Sequence, residues 1–209
     1  MNWNITKEEK KALIDLTMVE TATNLSVRST MLGQGSYGTR QLTYTVFKNS
    51  IERVFPKMPK EVILSLFQHF HIPGTDDADY HRFFGFLDDF KRKQKVVTDY
   101  LDQVYQRHSS NKRNLLDLFE NTDTNHNGYV NRADFIKVFN QFGISLDRGA
   151  VDVFFFFIDT NANGEINYRD LFIFFEKYLS SIGKDINDLF RSNYLQGTKN
   201  ISFSNIARP

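Results

Sequence analysis

The sequence predicts an all-α fold in which helix-loop-helix pairs form two lobes joined by a helical connector. Two stretches of twelve residues, 123–134 and 159–170, share one polar pattern, and each lies between segments whose apolar residues recur at helical spacing. They begin 36 residues apart, which leaves room for a helix on each side of each loop. A weaker version of the same arrangement occurs in the first half of the chain.

Both stretches follow the pattern D-x-N-x-N-G-x-hydrophobic-N-x-x-D. A hard cation such as Ca²⁺ takes about six to eight oxygen ligands, and a short loop supplies them from positions 1, 3, 5, 7, 9 and 12. Glycine at position 6, Gly128 and Gly164, allows the sharp turn that such a loop needs. Position 8 is apolar in both loops, Val130 and Ile166, which predicts a short β-bridge between them. The candidate ligands are Asp123, Asn125, Asn127, the Tyr129 carbonyl, Asn131, Asp134, Asp159, Asn161, Asn163, the Glu165 carbonyl, Asn167 and Asp170.

On this pattern the sequence resembles the EF-hand superfamily, which includes calmodulin, centrin and troponin C. EF-hand loops that hold calcium tightly end in Glu, whose longer stem lets both carboxylate oxygens reach the ion, whereas these loops end in Asp134 and Asp170. With few carboxylates in each loop, we expect weak Ca²⁺ sites, with dissociation constants of about 10⁻⁵ to 10⁻³ M, or Mg²⁺. The alternative is that both loops are kept as structural turns without metal.

Composition limits the other functions. The chain has 209 residues, 41% of them hydrophobic and 21 of them Phe, so a substantial core is expected. A net charge of +1 disfavours nucleic-acid binding, and the lack of Cys excludes disulfides, thiolate zinc sites and thiol catalysis. The N-terminus lacks an apolar signal core, Asn2 stands where myristoylation needs glycine, and no apolar run reaches the ~20 residues of a membrane span. We expect a cytoplasmic protein with no membrane span.

Five segments follow from the pattern. Thr6 and Glu9 have the spacing of a capping box, which predicts a first helix from about Lys7. The predicted segments are an N-terminal helix and loop at 1–30, a degenerate EF-hand pair at 31–92, a helical connector at 93–109, the pair with metal-type loops at 110–182, and a C-terminal helix and tail at 183–209.

The degenerate pair has two loops that lack ligands. In the first, residues 35–46, Leu42 takes position 8 and Val46 replaces the acid at position 12. In the second, residues 73–84, Tyr80 takes position 8, and the acidic residues before it are interpreted as a turn and a helix start. Leu42 and Tyr80 are 38 residues apart, which predicts that these two loops pair.

A glycine motif, G-x-G-x-x-G, also begins at Gly33. It resembles the phosphate-covering loop of protein kinases. The sequence has no V-A-I-K, H-R-D or D-F-G motif, and no βαβ pattern surrounds the glycines. Nucleotide binding is therefore rejected.

The connector is predicted to belong to a helix from Tyr80 to about His108. Its basic stretch, residues 91–95, is interpreted as a solvated segment, and a phosphate or membrane-surface patch is the alternative. The run Phe154–Phe157 cannot face one core, because a helix turns by about 100° per residue. Either one of these rings meets another lobe or a partner, or the helix is buried on all sides.

The C-terminal segment predicts a short helix at 185–194 and a fifth, degenerate hand around Ile201. Such an unpaired hand would leave a strand edge open to a partner.

The resemblance implies a non-enzymatic, calmodulin-like protein that binds Ca²⁺ or Mg²⁺ and other proteins. Those partners would be a helical peptide or the subunits of an assembly. The alternative is a constitutive adaptor subunit, for example of the cytoskeleton or a ciliary microtubule, with little calcium regulation. Catalysis is not expected, because none of the 5 His stands in a metal-ligand or triad spacing and no nucleophile motif occurs.

Overall fold

A computed structural model describes residues 4–34, 41–108 and 114–186. In this part of the chain the helices are α1 (Lys7–Thr23), α2 (Val27–Gln34), α3 (Tyr44–Val54), α4 (Lys60–His69), α5 (Tyr80–Arg107), α6 (Leu115–Thr122), α7 (Arg132–Gln141), α8 (Arg148–Ile158) and α9 (Tyr168–Ser181). The strands are β1 (Gln41–Thr43), β2 (Asp77–Asp79), β3 (Tyr129–Asn131) and β4 (Glu165–Asn167). The predicted mostly helical fold is confirmed.

The chain divides into two compact units, unit 1 (Met1–Lys93) and unit 2 (Gln94–Pro209). The boundary lies inside α5, so that the first part of this helix belongs to unit 1 and the second part to unit 2. None of the helices in the described residues is long and apolar enough to cross a membrane.

The first helix begins at the predicted capping box. The Thr6 hydroxyl accepts a hydrogen bond from the Glu9 amide at 3.1 Å, and the Glu9 carboxylate accepts one from the Thr6 amide at 2.7 Å. Glu9 is only 1% exposed, and its carboxylate also accepts a hydrogen bond from the Ser65 hydroxyl at 2.6 Å and lies 3.0 Å from the His69 ring. The capping box therefore begins helix α1, and its Glu9 also connects this helix to helix α4.

Helix α2 was missed by the sequence interpretation, which placed the start of a glycine motif there. Gly33 lies inside this helix, so the motif does not begin as a loop. The helix starts directly after the turn at Asn24, and the buried Glu20 carboxylate accepts a hydrogen bond from the Val27 amide at 2.7 Å. The apolar residues Val27 and Met31 of α2 are buried, whereas Leu32 is 41% exposed. The other residues of the glycine motif and of the first degenerate loop, 35–40, lie outside the described residues.

The two degenerate loops of unit 1 pair through β1 and β2, but with a different partner from the predicted one. Leu42 lies opposite Ala78 rather than Tyr80, which instead begins α5. The Ile72 amide donates to the Asp77 carbonyl at 2.8 Å, and Gly74 lies at φ +82°, so the chain turns just before β2 and the paired residue falls two positions earlier than predicted. The predicted helix start is confirmed, because Asp79 Oδ1 accepts hydrogen bonds from two amides of the first turn of α5.

The basic stretch in α5 is paired with carboxylates. Lys91 lies 2.6 Å from Glu20, Lys93 lies 3.0 Å from Asp89, and Lys95 lies 2.6 Å from Asp99. These ion pairs reduce the positive potential of the stretch, which favours the interpretation as a solvated segment over a phosphate-binding patch.

Unit 2 repeats one arrangement twice, α6–β3–α7 and α8–β4–α9. Its core is aromatic. Phe135 is fully buried, and its ring centroid lies 4.8 Å from that of Phe139 and 5.2 Å from that of Phe154. Such tilted ring pairs each add about 0.5–1.5 kcal/mol beyond the burial of apolar area.

The phenylalanine run of α8 is mostly buried inside unit 2. Phe154, Phe155 and Phe157 are between 0% and 4% exposed, and Phe156 is half-buried. Their contacts on different sides of the helix include the Phe135 ring for Phe154 and the Phe174 ring for Phe157. Three of the four rings therefore need no partner outside the unit, but the half-buried Phe156 and the exposed Asp152 show that the helix is not buried on all sides. The predicted helix at 185–194 and the fifth hand fall almost wholly outside the described residues.

Candidate metal centre

The first metal-type loop is organised around the side chain of Asp123. This residue ends α6, and it is only 3% exposed. Its Oδ2 accepts a hydrogen bond from the Gly128 amide at 2.7 Å, and its Oδ1 accepts one from the Asn127 amide at 3.1 Å. The carboxylate is thus turned into the loop and held there by backbone donors.

Two asparagines continue the same turn. Asn125 Oδ1 accepts a hydrogen bond from the Asn127 amide at 3.3 Å, and Asn127 Oδ1 accepts one from the Tyr129 amide at 2.8 Å. Each is an Asx-type bond, in which a side-chain oxygen binds the amide two residues further on. Because an amide oxygen has two lone pairs, each oxygen keeps one lone pair after this bond.

The last two candidate ligands of this loop lie at the start of α7. Asn131 Oδ1 caps the helix by accepting from the amides of Ala133 at 2.9 Å and Asp134 at 3.0 Å. Asn131 Nδ2 donates to Asp134 Oδ2 at 2.7 Å, so that the short carboxylate at position 12 is tied to position 9. The other Asp134 oxygen, Oδ1, makes no such bond to Asn131.

The second loop repeats this geometry. Asp159 is 8% exposed, its Oδ2 accepts from the Gly164 amide at 2.9 Å, and its Oδ1 accepts from the Asn163 amide at 3.2 Å. Asn163 Oδ1 accepts from the Glu165 amide at 3.0 Å, and Asn167 caps α9. Of the remaining candidates, Asn161 is exposed and Asp170 is half-buried at the first turn of α9.

Each loop has two residues in the left-handed region of the backbone. Gly128 and Gly164 lie at φ +82° and φ +85°, as predicted for position 6. The sequence interpretation missed the second bend, at position 4, where His126 and Ala162 have φ +56° and φ +53°. L-residues rarely adopt this conformation. The composition of the loops gave no signal for it, since neither residue is Gly or Asn.

The two loops lie side by side. Val130 pairs with Ile166 in an antiparallel β3–β4 ladder, which confirms the predicted bridge. A residue that the sequence interpretation missed also joins them: Tyr168, the tenth residue of the second loop, donates its hydroxyl to Asp123 Oδ2 at 3.2 Å. Burial, followed by the nearby Asp123 carboxylate, raises the pKa of Tyr168 above its ordinary value, so the phenol remains a donor at neutral pH.

The donor set of both loops fits a hard divalent cation. The candidate ligands are carboxylate, amide and carbonyl oxygens, the groups that Ca²⁺ and Mg²⁺ prefer, and they include no thiolate or imidazole. Among the described residues there is no group of three or more His, Cys, Asp or Glu that could hold a metal ion. Among the candidate ligands, each loop has only two side-chain carboxylates, so cation binding would depend on the asparagine and backbone oxygens.

Comparison with known proteins identifies this segment. Residues 112–176 match the family model of the EF-hand domain pair. This part of the chain is therefore similar to an EF-hand pair. The match supports the resemblance to the EF-hand superfamily, and it indicates calcium binding in general. No curated protein and no solved structure matches the chain.

Proposed function

We propose that the EF-hand pair binds two divalent cations, one in each loop, and that they are Ca²⁺ held weakly or Mg²⁺. The observation that carries this proposal is the repeated fixing of a buried aspartate: in both loops the position-1 carboxylate accepts hydrogen bonds from the amides of positions 5 and 6. These bonds hold the loop closed around the carboxylate, which lowers the cost of arranging the ligands. The residues that would hold the ions are the twelve candidates named above.

A bound cation would neutralise the carboxylates and tie the end of one helix to the start of the next. The Asp at position 12 limits the strength of cation binding. The Asp134 side chain is short, and one of its oxygens already accepts a hydrogen bond from Asn131. Since affinity is lower when fewer of the ligands are charged, we expect dissociation constants of about 10⁻⁵ to 10⁻³ M for Ca²⁺.

Calorimetry of the whole chain tests this proposal. Ca²⁺ is titrated into the wild type at constant Mg²⁺, and into Asp123→Asn and Asp159→Asn, which keep the shape of the side chain and remove its charge. Each variant should lose one of two binding events. Thr124→Ala, at an exposed position of the first loop that supplies no ligand, is the matched control and should bind like the wild type. Wild-type heats equal to buffer, with and without Mg²⁺, would refute the proposal.

We further propose that the protein is non-enzymatic and acts through contacts with other proteins. In a calcium sensor of the calmodulin type, the EF-hand pair opens on binding calcium and exposes an apolar groove for a helical partner. In unit 2, the second part of α5 already packs against the pair. Its residues Val97, Leu101 and Val104 are between 0% and 2% exposed.

Polar contacts also hold this part of α5 in place. The Tyr178 hydroxyl of α9 donates to Asp102 at 2.8 Å, and the Tyr100 hydroxyl donates to Asp147, the N-cap of α8, at 3.3 Å. Because a helix of the same chain covers both α8 and α9, these contacts favour the second candidate function, a constitutive adaptor with little calcium regulation. A cytoskeletal or ciliary location remains a prediction from the family resemblance.

A dye that fluoresces on apolar surface separates the two candidates. For the adaptor, saturating Ca²⁺ should leave the fluorescence of the dye unchanged, because α5 stays in place. A severalfold increase would support the calmodulin-like sensor instead.

A further inference from the structure

Tyr168 belongs to the second hand of the EF-hand pair, but its side chain is built into the first. It begins α9 and is 6% exposed. Its ring stacks on Phe119 of α6, with the ring centroids 5.7 Å apart and the planes 15° from parallel. The hydroxyl therefore has a fixed position at the entrance of the first loop.

Two hydrogen bonds connect Tyr168 to opposite ends of the first turn of that loop. Its hydroxyl donates to Asp123 Oδ2 at 3.2 Å, and its backbone amide donates to the Gly128 carbonyl at 3.2 Å. The Gly128 amide in turn donates to the same Asp123 oxygen at 2.7 Å. Asp123, Gly128 and Tyr168 thus form a closed ring of hydrogen bonds.

This ring determines which Asp123 oxygen can face a cation. Oδ2 accepts from both the Gly128 amide and the Tyr168 hydroxyl, and these two hydrogen bonds use both of its lone pairs. From the described residues, Oδ1 accepts a single hydrogen bond, that of the Asn127 amide, and keeps a lone pair for a cation. The tyrosine therefore directs Oδ1 into the loop.

Within the described residues, no side chain of the first hand donates to Asp159 of the second. In the first loop, the residue equivalent to Tyr168 is Arg132, whose guanidinium pairs with Asp152 at 2.5 Å and lies 4.3 Å from the centroid of the Phe155 ring. The hydrogen bonds that Asp159 accepts come from its own loop, from Asn163 and Gly164. The two sites are therefore built asymmetrically.

We propose that Tyr168 is a positioning residue for the cation site of the first loop, so that the affinity of this site depends on a side chain of the second hand while the second site has no such support. This inference rests on the proposed function, since it concerns the cation sites. Partners that orient a metal ligand typically contribute about 10-fold to 100-fold in affinity.

Titration of each loop separately tests the inference. The amides of Gly128 and Gly164 each donate to the first aspartate of their own loop, so their NMR resonances report the two sites independently. With Ca²⁺ as the probe, Tyr168→Phe should weaken binding about 10-fold at Gly128 and leave binding at Gly164 within about twofold of the wild type. The phenylalanine keeps the ring that stacks on Phe119, so the fold should be retained.

Tyr178→Phe is the matched control. It removes a tyrosine hydroxyl from the same helix, α9, but this hydroxyl donates to Asp102, at 2.8 Å, which lies outside both loops. Both sites should bind as in the wild type. A role of Tyr168 in folding alone would lower the stability of the pair and weaken both sites of Tyr168→Phe together.

The outcomes are distinguishable. If Ca²⁺ moves neither glycine resonance of the wild type, the proposed function fails, and the inference fails with it. If the wild type binds at both loops and Tyr168→Phe binds equally well, or loses both sites to the same extent, the proposed function stands and the inference is overturned.

Discussion

Ala162 and Gly164 allow a direct test of the backbone geometry of the second loop. Both residues lie in the left-handed region, at φ +53° and φ +85°, yet only one of them is a glycine. An L-residue in this region costs about 1–2 kcal/mol. Replacing it with glycine removes that cost, but it also makes the unfolded chain freer, which costs about 0.4–1 kcal/mol.

We therefore expect Ala162→Gly to raise the free energy of unfolding by about 0.5–1 kcal/mol. Gly164→Ala should lower it by a similar amount or more. A Cβ added at Gly164 would meet no atom within 4 Å, so the cost is torsional and involves no clash. The double exchange keeps the composition of the unfolded chain, and it should be slightly less stable than the wild type, because φ +85° suits alanine less well than φ +53°.

Urea unfolding with a metal chelator present measures these differences without any contribution from cation binding. The methyl resonances of Val130 and Ile166, which pair between the two loops, report on this part of the chain specifically. A lower stability of Ala162→Gly, or an unchanged stability of Gly164→Ala, would refute the reasoning.

Two further predictions concern the packing of unit 2. Burial, together with the hydrogen bond to Asp102, raises the pKa of Tyr178 above its ordinary value. Because the folded state holds this proton more tightly than the unfolded chain, stability is full below about pH 10 and falls above it. Tyr178→Phe should make this alkaline loss smaller in urea titrations, and an unchanged pH profile would contradict the assignment. Phe135→Ala should lower the free energy of unfolding by about 3–5 kcal/mol, because Phe135 is fully buried among other aromatic rings, and a loss below about 1 kcal/mol would show that the core does not depend on it.

The metal-type loops could be predicted because their geometry follows from local chemistry. Asparagine and aspartate side chains bind amides a few residues further on, and glycine permits the bend at Gly128 and Gly164. The pairing of Val130 with Ile166 could be predicted because both residues occupy position 8 of loops that share one pattern.

The degenerate pair could be predicted only in part, because without ligand residues nothing in the sequence marks where its loops begin. The turn at Gly74 leads directly into β2, and the partner of Leu42 is Ala78, two residues before Tyr80. Counting residues by the spacing of the metal-type loops could not reveal that the paired residue is Ala78. The role of Tyr168 also had no local signal, because its contact with Asp123 joins residues 45 positions apart.

Anomalous scattering from crystals grown with Mn²⁺, and again with Ca²⁺, tests the central claim most directly, since it locates the ions. The account predicts one peak in each loop of the EF-hand pair, with Asp123 and Asp159 each among the ligands and with Ca²⁺–oxygen distances of about 2.3–2.6 Å. Loops without a peak at millimolar concentrations of both cations, or peaks bound only elsewhere on the chain, would contradict it.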